Sequence, residues 1–172
     1  MSGVSATTSN YLLYAQDAYL TVDGVDVGAL MGDIEIEMST EQFYPELRPS
    51  RGAIAGTGRV VGAAGKITCT MSEWNYTVLA SLFSLGASST ANSSRIGSGA
   101  IGAITELSNV QIVGLTRNDG KAVRVTMARA RVTSPVATTF SSNENAAIEL
   151  VFEALFVATA VRTFPMWIEI AL

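Results

Sequence analysis

The chain has 172 residues, 48% of them apolar and only 15% charged, with a net charge of −4, no histidine and one cysteine. That length suits a single domain over residues 1–172 whose core needs no staples, and the acidic excess argues against a task of gripping nucleic acid, which calls for basic residues to displace counterions. A lone cysteine excludes an internal disulfide framework, and the lack of histidine excludes His-based triads and His metal sites.

The charged share lies well below the roughly 25% of ordinary soluble proteins, so much of the surface is uncharged or meets other protein. Residues 1–10 carry no basic region and no apolar core of the kind a signal peptide needs. The longest apolar stretch, 148–161, is too short for a membrane span and is broken by Glu149 and Glu153. A soluble protein made in a cytoplasm is expected.

Residues 1–16 are polar and irregular around the knot Tyr11, Leu12, Leu13 and Tyr14, and read as an N-terminal arm. From residue 18 the pattern turns strand-like. Tyr19–Val22 leads into Asp23 and Gly24, a hairpin signal because both tolerate positive φ. Over 33–38, Asp33, Glu35 and Glu37 alternate with Ile34, Ile36 and Met38, which predicts a strand with one acidic and one buried face. Periodicity then fails over 39–56, a long hairpin loop with Pro45, Pro49 and several apolar residues. Its aromatics, Phe43 and Tyr44, point to ordering against a partner rather than disorder.

A strand is predicted over 58–71, with Ile67, Cys69 and Met71 on its inner face. Ser72 then reads as an N-cap and Glu73 as a first-turn anion for a helix over about 73–85. Its apolar stripe is Trp74, Val78, Leu79, Leu82 and Leu85, and Gly86 stands where such helices end. Residues 87–100 read as a Ser-, Gly- and Asn-rich loop. Strands follow at 109–117 and 121–132, joined by the turn residues Asn118, Asp119 and Gly120. A phase slip near Met127, Ala128 and Arg129 predicts a bulge. A strand at 147–157 alternates Ile148, Leu150, Phe152, Ala154 and Phe156 with Glu149, Val151, Glu153, Leu155 and Val157. Residues from about 160 to 172 read as a final strand or arm around Trp167.

Catalytic motifs fail on context. Gly97, Gly99 and Gly102 have dinucleotide-fingerprint spacing, yet a Ser/Asn loop is expected before them and β-like text after, where the mechanism needs a strand and then a helix. Gly62 to Lys66 resembles a phosphate loop, but Val60 and Ile67 occupy positions that require Gly and Ser or Thr. Glu35 with Glu37, and Glu149 with Glu153, lie along strands without an apolar pocket to split their pKa values. Cys69 reads as a small buried hydrophobe. No enzyme, cofactor or metal is expected.

Two charged sets remain. Asp33, Glu35 and Glu37 with Glu149 and Glu153 are either a solvated sheet face or, repeated around a ring, a negative wall that keeps phosphates from sticking. The basic residues Arg117, Lys121, Arg124, Arg129 and Arg131 are either ordinary surface charge or partners for acidic neighbours on another subunit.

The order of these features resembles the tail tube (major tail) proteins of long-tailed bacteriophages. The resemblance rests on the opening Tyr19-Leu20-x-Val22-Asp23-Gly24-Val25-x-Val27-Gly28 and on the acidic strand and Pro/Arg-containing hairpin loop after it. It rests also on the run Lys66-Ile67-Thr68-Cys69-Thr70-Met71-Ser72-Glu73-Trp74 into one helix. It implies a mainly β fold, a β-sandwich or barrel with one flanking helix, whose inner strands join across a homo-oligomeric ring, hexameric in that family, into one β-barrel. Rings stack into a tube that conducts DNA to the host cell.

On that resemblance Asp33, Glu35, Glu37, Glu149 and Glu153 would face the lumen. The loop residues Phe43, Tyr44, Pro45, Glu46, Leu47, Arg48, Pro49, Arg51 and Ile54 would reach the next ring, and the N-terminal arm or C-terminal strand would cross to an adjacent subunit. The implied partners are further copies of the chain and the tape-measure and tail terminator or tip proteins. DNA would pass without specific binding, and the subunit would bind no membrane. The location would be the virion tail, assembled in the bacterial host cytoplasm. Tubes of contractile tails, phage-derived bacteriocins or gene transfer particles, and a β-sandwich binding or capsid decoration module, are the alternatives.

Overall fold

The computed structural model describes residues 13–45, 58–73, 75–83, 87–90, 93–97, 106–116, 122–138, 146–156 and 163–170. The fold is mainly β, as the alternation predicts, with one short helix among the described residues. Strand β1 (Leu13–Val22) turns through Asp23 and Gly24, at φ 54 and 77, into the short β2 (Val25–Asp26). Two consecutive left-handed residues match the strand twist, which is why this dipeptide closes a tight hairpin. Because β1 begins at Leu13, opposite Thr116, residues 13–16 belong to the sheet and not to an arm; residues 1–12 lie outside the described residues.

Strand β3 (Leu30–Phe43) pairs antiparallel with β4 (Arg59–Met71). Ile34 and Ile36 pack on the core, while Asp33, Glu35 and Glu37 are exposed. On β4, Ile67, Cys69 and Met71 are buried as expected. The long loop expected over 39–56 is shorter than its sequence suggests. Pairing runs on from Ser39 opposite Ala64 to Phe43 opposite Arg59. This outer stretch is mostly exposed, so burial imposes no alternation and backbone pairing alone defines the strand. Of the expected inter-ring residues, Phe43 ends β3 and Tyr44 and Pro45 follow it, while Glu46, Leu47, Arg48, Pro49, Arg51 and Ile54 lie outside the described residues.

Helix α1 spans Tyr76–Leu82, capped by Asn75, whose Oδ1 accepts the N–H groups of Thr77 at 3.1 Å and Val78 at 3.3 Å. The expected start at Ser72 and Glu73 is therefore corrected. Those two residues bind the link into β3: the Ser72 N–H and hydroxyl donate to the Ala29 carbonyl at 2.9 and 3.1 Å, and Glu73 Oε2 accepts the Ala29 N–H at 3.1 Å. Asn caps a helix as well as Ser does. Val78, Leu79 and Leu82 are buried, as their spacing predicts; Trp74, Leu85 and Gly86 lie outside the described residues. The stretch 87–100 is not all loop: β5 (Ala87–Thr90) and β6 (Ser93–Ile96) form a separate two-stranded sheet. A strand thus does precede Gly97, contrary to expectation, and residues 98–105, where a helix start would be needed, lie outside the described residues.

Strands β7 (Leu107–Thr116), β8 (Ala122–Val132), β9 (Ile148–Ala154) and β10 (Met166–Ile170) complete an eight-stranded sheet of order β2-β1-β7-β8-β9-β4-β3, with β10 on β8. The C-terminal strand therefore pairs within its own subunit. The phase slip on β8 is real, but it is not a bulge against β7. Leu107 faces Ala130 and Val110 faces Met127 in unbroken register, and both strands change face together where Asn109 takes φ 50. Asparagine is among the few side chains that enter this region readily.

At the same point the other edge of β8 changes partner. Val123 to Met127 pair with β10, and Ala130 to Val132 pair with β9. The Ala128 N–H donates to the Pro165 carbonyl at 3.4 Å and the Leu155 N–H to the Arg129 carbonyl at 2.8 Å, which bridges the change. One buried cluster joins the two ends of the sheet. Leu20, Val110, Val125 and Met127 come from one side, Ile67, Met71, Leu150 and Phe152 from the other, with Met166 of β10. Each such side chain contributes about 1.5–3 kcal/mol when fully buried.

Candidate assembly surfaces: an open strand edge and a charged outer face

The sheet order ends at β3, so its outer edge has no strand partner among the described residues. This edge is 14 residues long. Natural proteins blunt or cover long open edges, because unpaired N–H and C=O rows recruit other strands. The charged side chains of Asp33, Glu35, Glu37 and Glu41 give β3 a polar outer face but no backbone partner.

The acidic residues expected at two places in the sequence share one face. Glu37 stands opposite Lys66 on β4, Lys66 opposite Glu153 on β9, and Glu153 opposite Arg131 on β8. At a strand spacing of about 4.8 Å, this row of alternating sign crosses roughly 14 Å of sheet. In neighbouring rows Glu35 faces Thr68, which faces Val151, and Glu149 faces Thr70. Asp33 follows the parity of Glu35 and is exposed. A shallow groove of about 350 Å³ lies over this face, lined by Glu37, Ser39, Lys66, Thr133, Val151 and Glu153 among others.

Arg131 is engaged inside the subunit, donating from Nη2 and Nε to Glu153 Oε2 at 2.7 and 3.0 Å. Arg124 lies 3.9 Å from Glu169 of β10. These two guanidiniums therefore already have carboxylates of their own chain. Arg129 is exposed, and neither it nor Lys66 makes an ion pair among the described residues. Arg117 and Lys121 lie outside the described residues. Sequence reasoning missed Lys66 as a member of the acidic face. Its parity, opposite to that of Ile67 and Cys69, placed it outward, but only the cross-strand register sets it between two glutamates.

Cys69 is buried, and burial pushes its thiol up to about 12, far from a reactive thiolate. Among the described residues no group of three or more Cys, Asp or Glu side chains is placed to hold a metal ion.

No protein-family model matches the chain, and no curated protein sequence does. Among solved structures, the chain is similar to the tube-terminating cap of the anti-feeding prophage, determined by electron cryomicroscopy. The identity is 12% and the TM-score 0.54, over 98% of this chain and 100% of that one. It also matches a chain of the virion of the native gene transfer agent particle, at 12% identity and TM-score 0.44, over 92% of this chain and 98% of that one. The chain and that cap thus share a fold along nearly their whole lengths.

Proposed function

We propose that this chain is a non-catalytic structural subunit of a phage-tail-type tube, one domain per copy. Copies form rings, hexameric by resemblance, whose open strand edges pair across subunits, and the rings stack around a channel. The carrying observation is the 14-residue β3, whose outer edge ends the sheet with no strand partner among the described residues and which bears a row of exposed carboxylates. Pairing such edges between copies turns a liability into an assembly contact. The end-to-end fold likeness to a tube-terminating cap supports the same reading.

In this reading Asp33, Glu35, Glu37 and Glu149 face the lumen, and DNA passes without being held. Lys66 and the Arg131–Glu153 pair moderate the field without reversing it. The tape-measure and tail tip or terminator proteins are the further partners, and the virion tail is the location. Tubes of contractile tails, bacteriocins and gene transfer particles share these mechanics.

Purified chain examined by sizing chromatography and negative-stain electron microscopy tests the reading. Hollow cylinders or rings that appear with rising concentration are expected. A monomer at every concentration overturns it. The likeness to a terminating cap favours one second reading, a subunit that closes a tube rather than builds its shaft; isolated rings that never stack would select it.

A further inference from the structure

The charged row across β3, β4, β9 and β8 runs Glu37, Lys66, Glu153, Arg131, which is minus, plus, minus, plus. Turned end for end, that order of signs becomes its own complement, a property that a plain acidic face lacks. Glu37 and Lys66 are exposed, and neither makes an ion pair among the described residues. Glu153 and Arg131 are a little over two-fifths exposed. Both bonds between them land on Oε2 of Glu153, so Oε1 is left to accept from a further cation.

A face of this kind fits a second copy of itself. Let two copies meet face to face about a two-fold axis that lies between them and runs along the strands. Glu37 of one copy then stands over Arg131 of the other, and Lys66 over Glu153, and the symmetry makes each contact twice. The flanking rows agree. Thr133 donates its N–H to the Val151 carbonyl at 2.8 Å, so it continues the row of Glu35, Thr68 and Val151. In the pair Glu35 comes over Thr133, Thr68 over Val151, and Thr70 over Glu149, with no like charges opposed. Strand directions stay aligned, as in packed sheets. An axis along the row would instead set every charge on its own kind, so the signs select one arrangement.

The area sets the strength. Four strands at about 4.8 Å, and the stretch 64–70 of β4 at about 3.3 Å per residue, give roughly 440 Å² per copy. That is about half of the ~800 Å² per partner that a stable complex buries. Exposed ion pairs add little each and are screened by salt. The contact therefore forms at high concentration and low salt, and it comes apart readily.

We propose that free subunits pair face to face through the row Glu37, Lys66, Glu153 and Arg131, in a weak two-fold dimer that holds them back from assembly. This rests on the tube reading for its consequence. The face that would line the channel is covered in the dimer, so a paired subunit cannot take its place in a ring.

Sedimentation of the subunit at low salt, below the concentration at which cylinders form, reads the contact. The parent should show a monomer–dimer equilibrium that moves to monomer as salt rises. Lys66→Glu opposes like charges at two symmetry-related places, and so does Glu153→Lys, so each variant alone should dimerise about tenfold more weakly or worse. An equimolar mixture of the two should dimerise again, because the carboxylate introduced at 66 meets the ammonium introduced at 153. Circular dichroism spectra like that of the parent check that both variants fold. Lowering the salt should delay cylinder growth in the parent more than in Lys66→Glu.

A parent that stays monomeric at low salt, or a mixture that pairs no better than its components, overturns the dimer and leaves the tube reading intact. An equal delay in parent and Lys66→Glu overturns the holding role. A parent that dimerises but never forms rings or cylinders overturns the tube reading and leaves the dimer standing.

Discussion

Glu153 accepts two hydrogen bonds from Arg131 across the β8–β9 pairing, and on its other side it stands opposite Lys66. Both members of the Arg131 pair are a little over two-fifths exposed, so solvent screens much of the attraction. Arg131→Met should therefore cost no more than about 1 kcal/mol, a melting shift of about 2–4 °C for a chain of this size. Thermal unfolding of dilute subunit at low and high salt measures it, and the difference between variant and parent should narrow with salt.

Glu35 and Glu149 carry no such pair among the described residues. On the proposed tube reading, reversing both to lysine should leave the subunit folded and cylinders intact, while slowing DNA release from particles that carry it. Release kinetics indistinguishable from the parent would remove this face from the channel.

Asn75 and Ser72 divide the roles that a single cap was expected to fill. Asn75→Ala should destabilise the subunit by about 1 kcal/mol through loss of the two helix N–H bonds. Ser72→Ala removes only the second donor to Ala29, the N–H bond remaining, and should cost less. Chemical denaturation of the two variants side by side distinguishes them.

At Asn109 the backbone φ of 50 separates glycine from branched residues. Asn109→Gly should be nearly neutral, whereas Asn109→Val should cost about 1–2 kcal/mol, because the left-handed region crowds Cβ. Equal stabilities would mean that the shared kink relaxes elsewhere.

Cys69 should resist thiol reagents in the folded subunit and react at once in denaturant. Its thiol is raised from 9.0 to about 12, so the stability it contributes is complete below about pH 9 and declines as pH rises towards 12. The advantage of the parent over Cys69→Ala should thus shrink by about 2 kcal/mol between neutral pH and about pH 10.5.

Alternation of apolar and charged residues made β3, β4 and β9 legible, and Asp23 with Gly24 revealed the first hairpin, because each signal is local. The helix start was misread because Ser72 and Glu73 have ideal capping chemistry yet spend it on Ala29, 43 and 44 residues away. Residues 39–43 and the β5–β6 hairpin were read as loop because exposed or polar strands need not alternate. The charged face was legible as residues but not as a surface. Nothing local says that Lys66 lies between Glu37 and Glu153, since that depends on which strands become neighbours.

The change of partner along one edge of β8 has a kinetic consequence. Leu20 must find Ile112, Cys69 must find Leu150, and Met127 must find Met166 before the sheet is whole. Such distant pairings make folding slow, on the scale of milliseconds to seconds. β9 follows β3 and β4 in the chain, so a newly made chain carries that hairpin before β9 is present to flank β4, and at high concentration misassociation competes with correct closure.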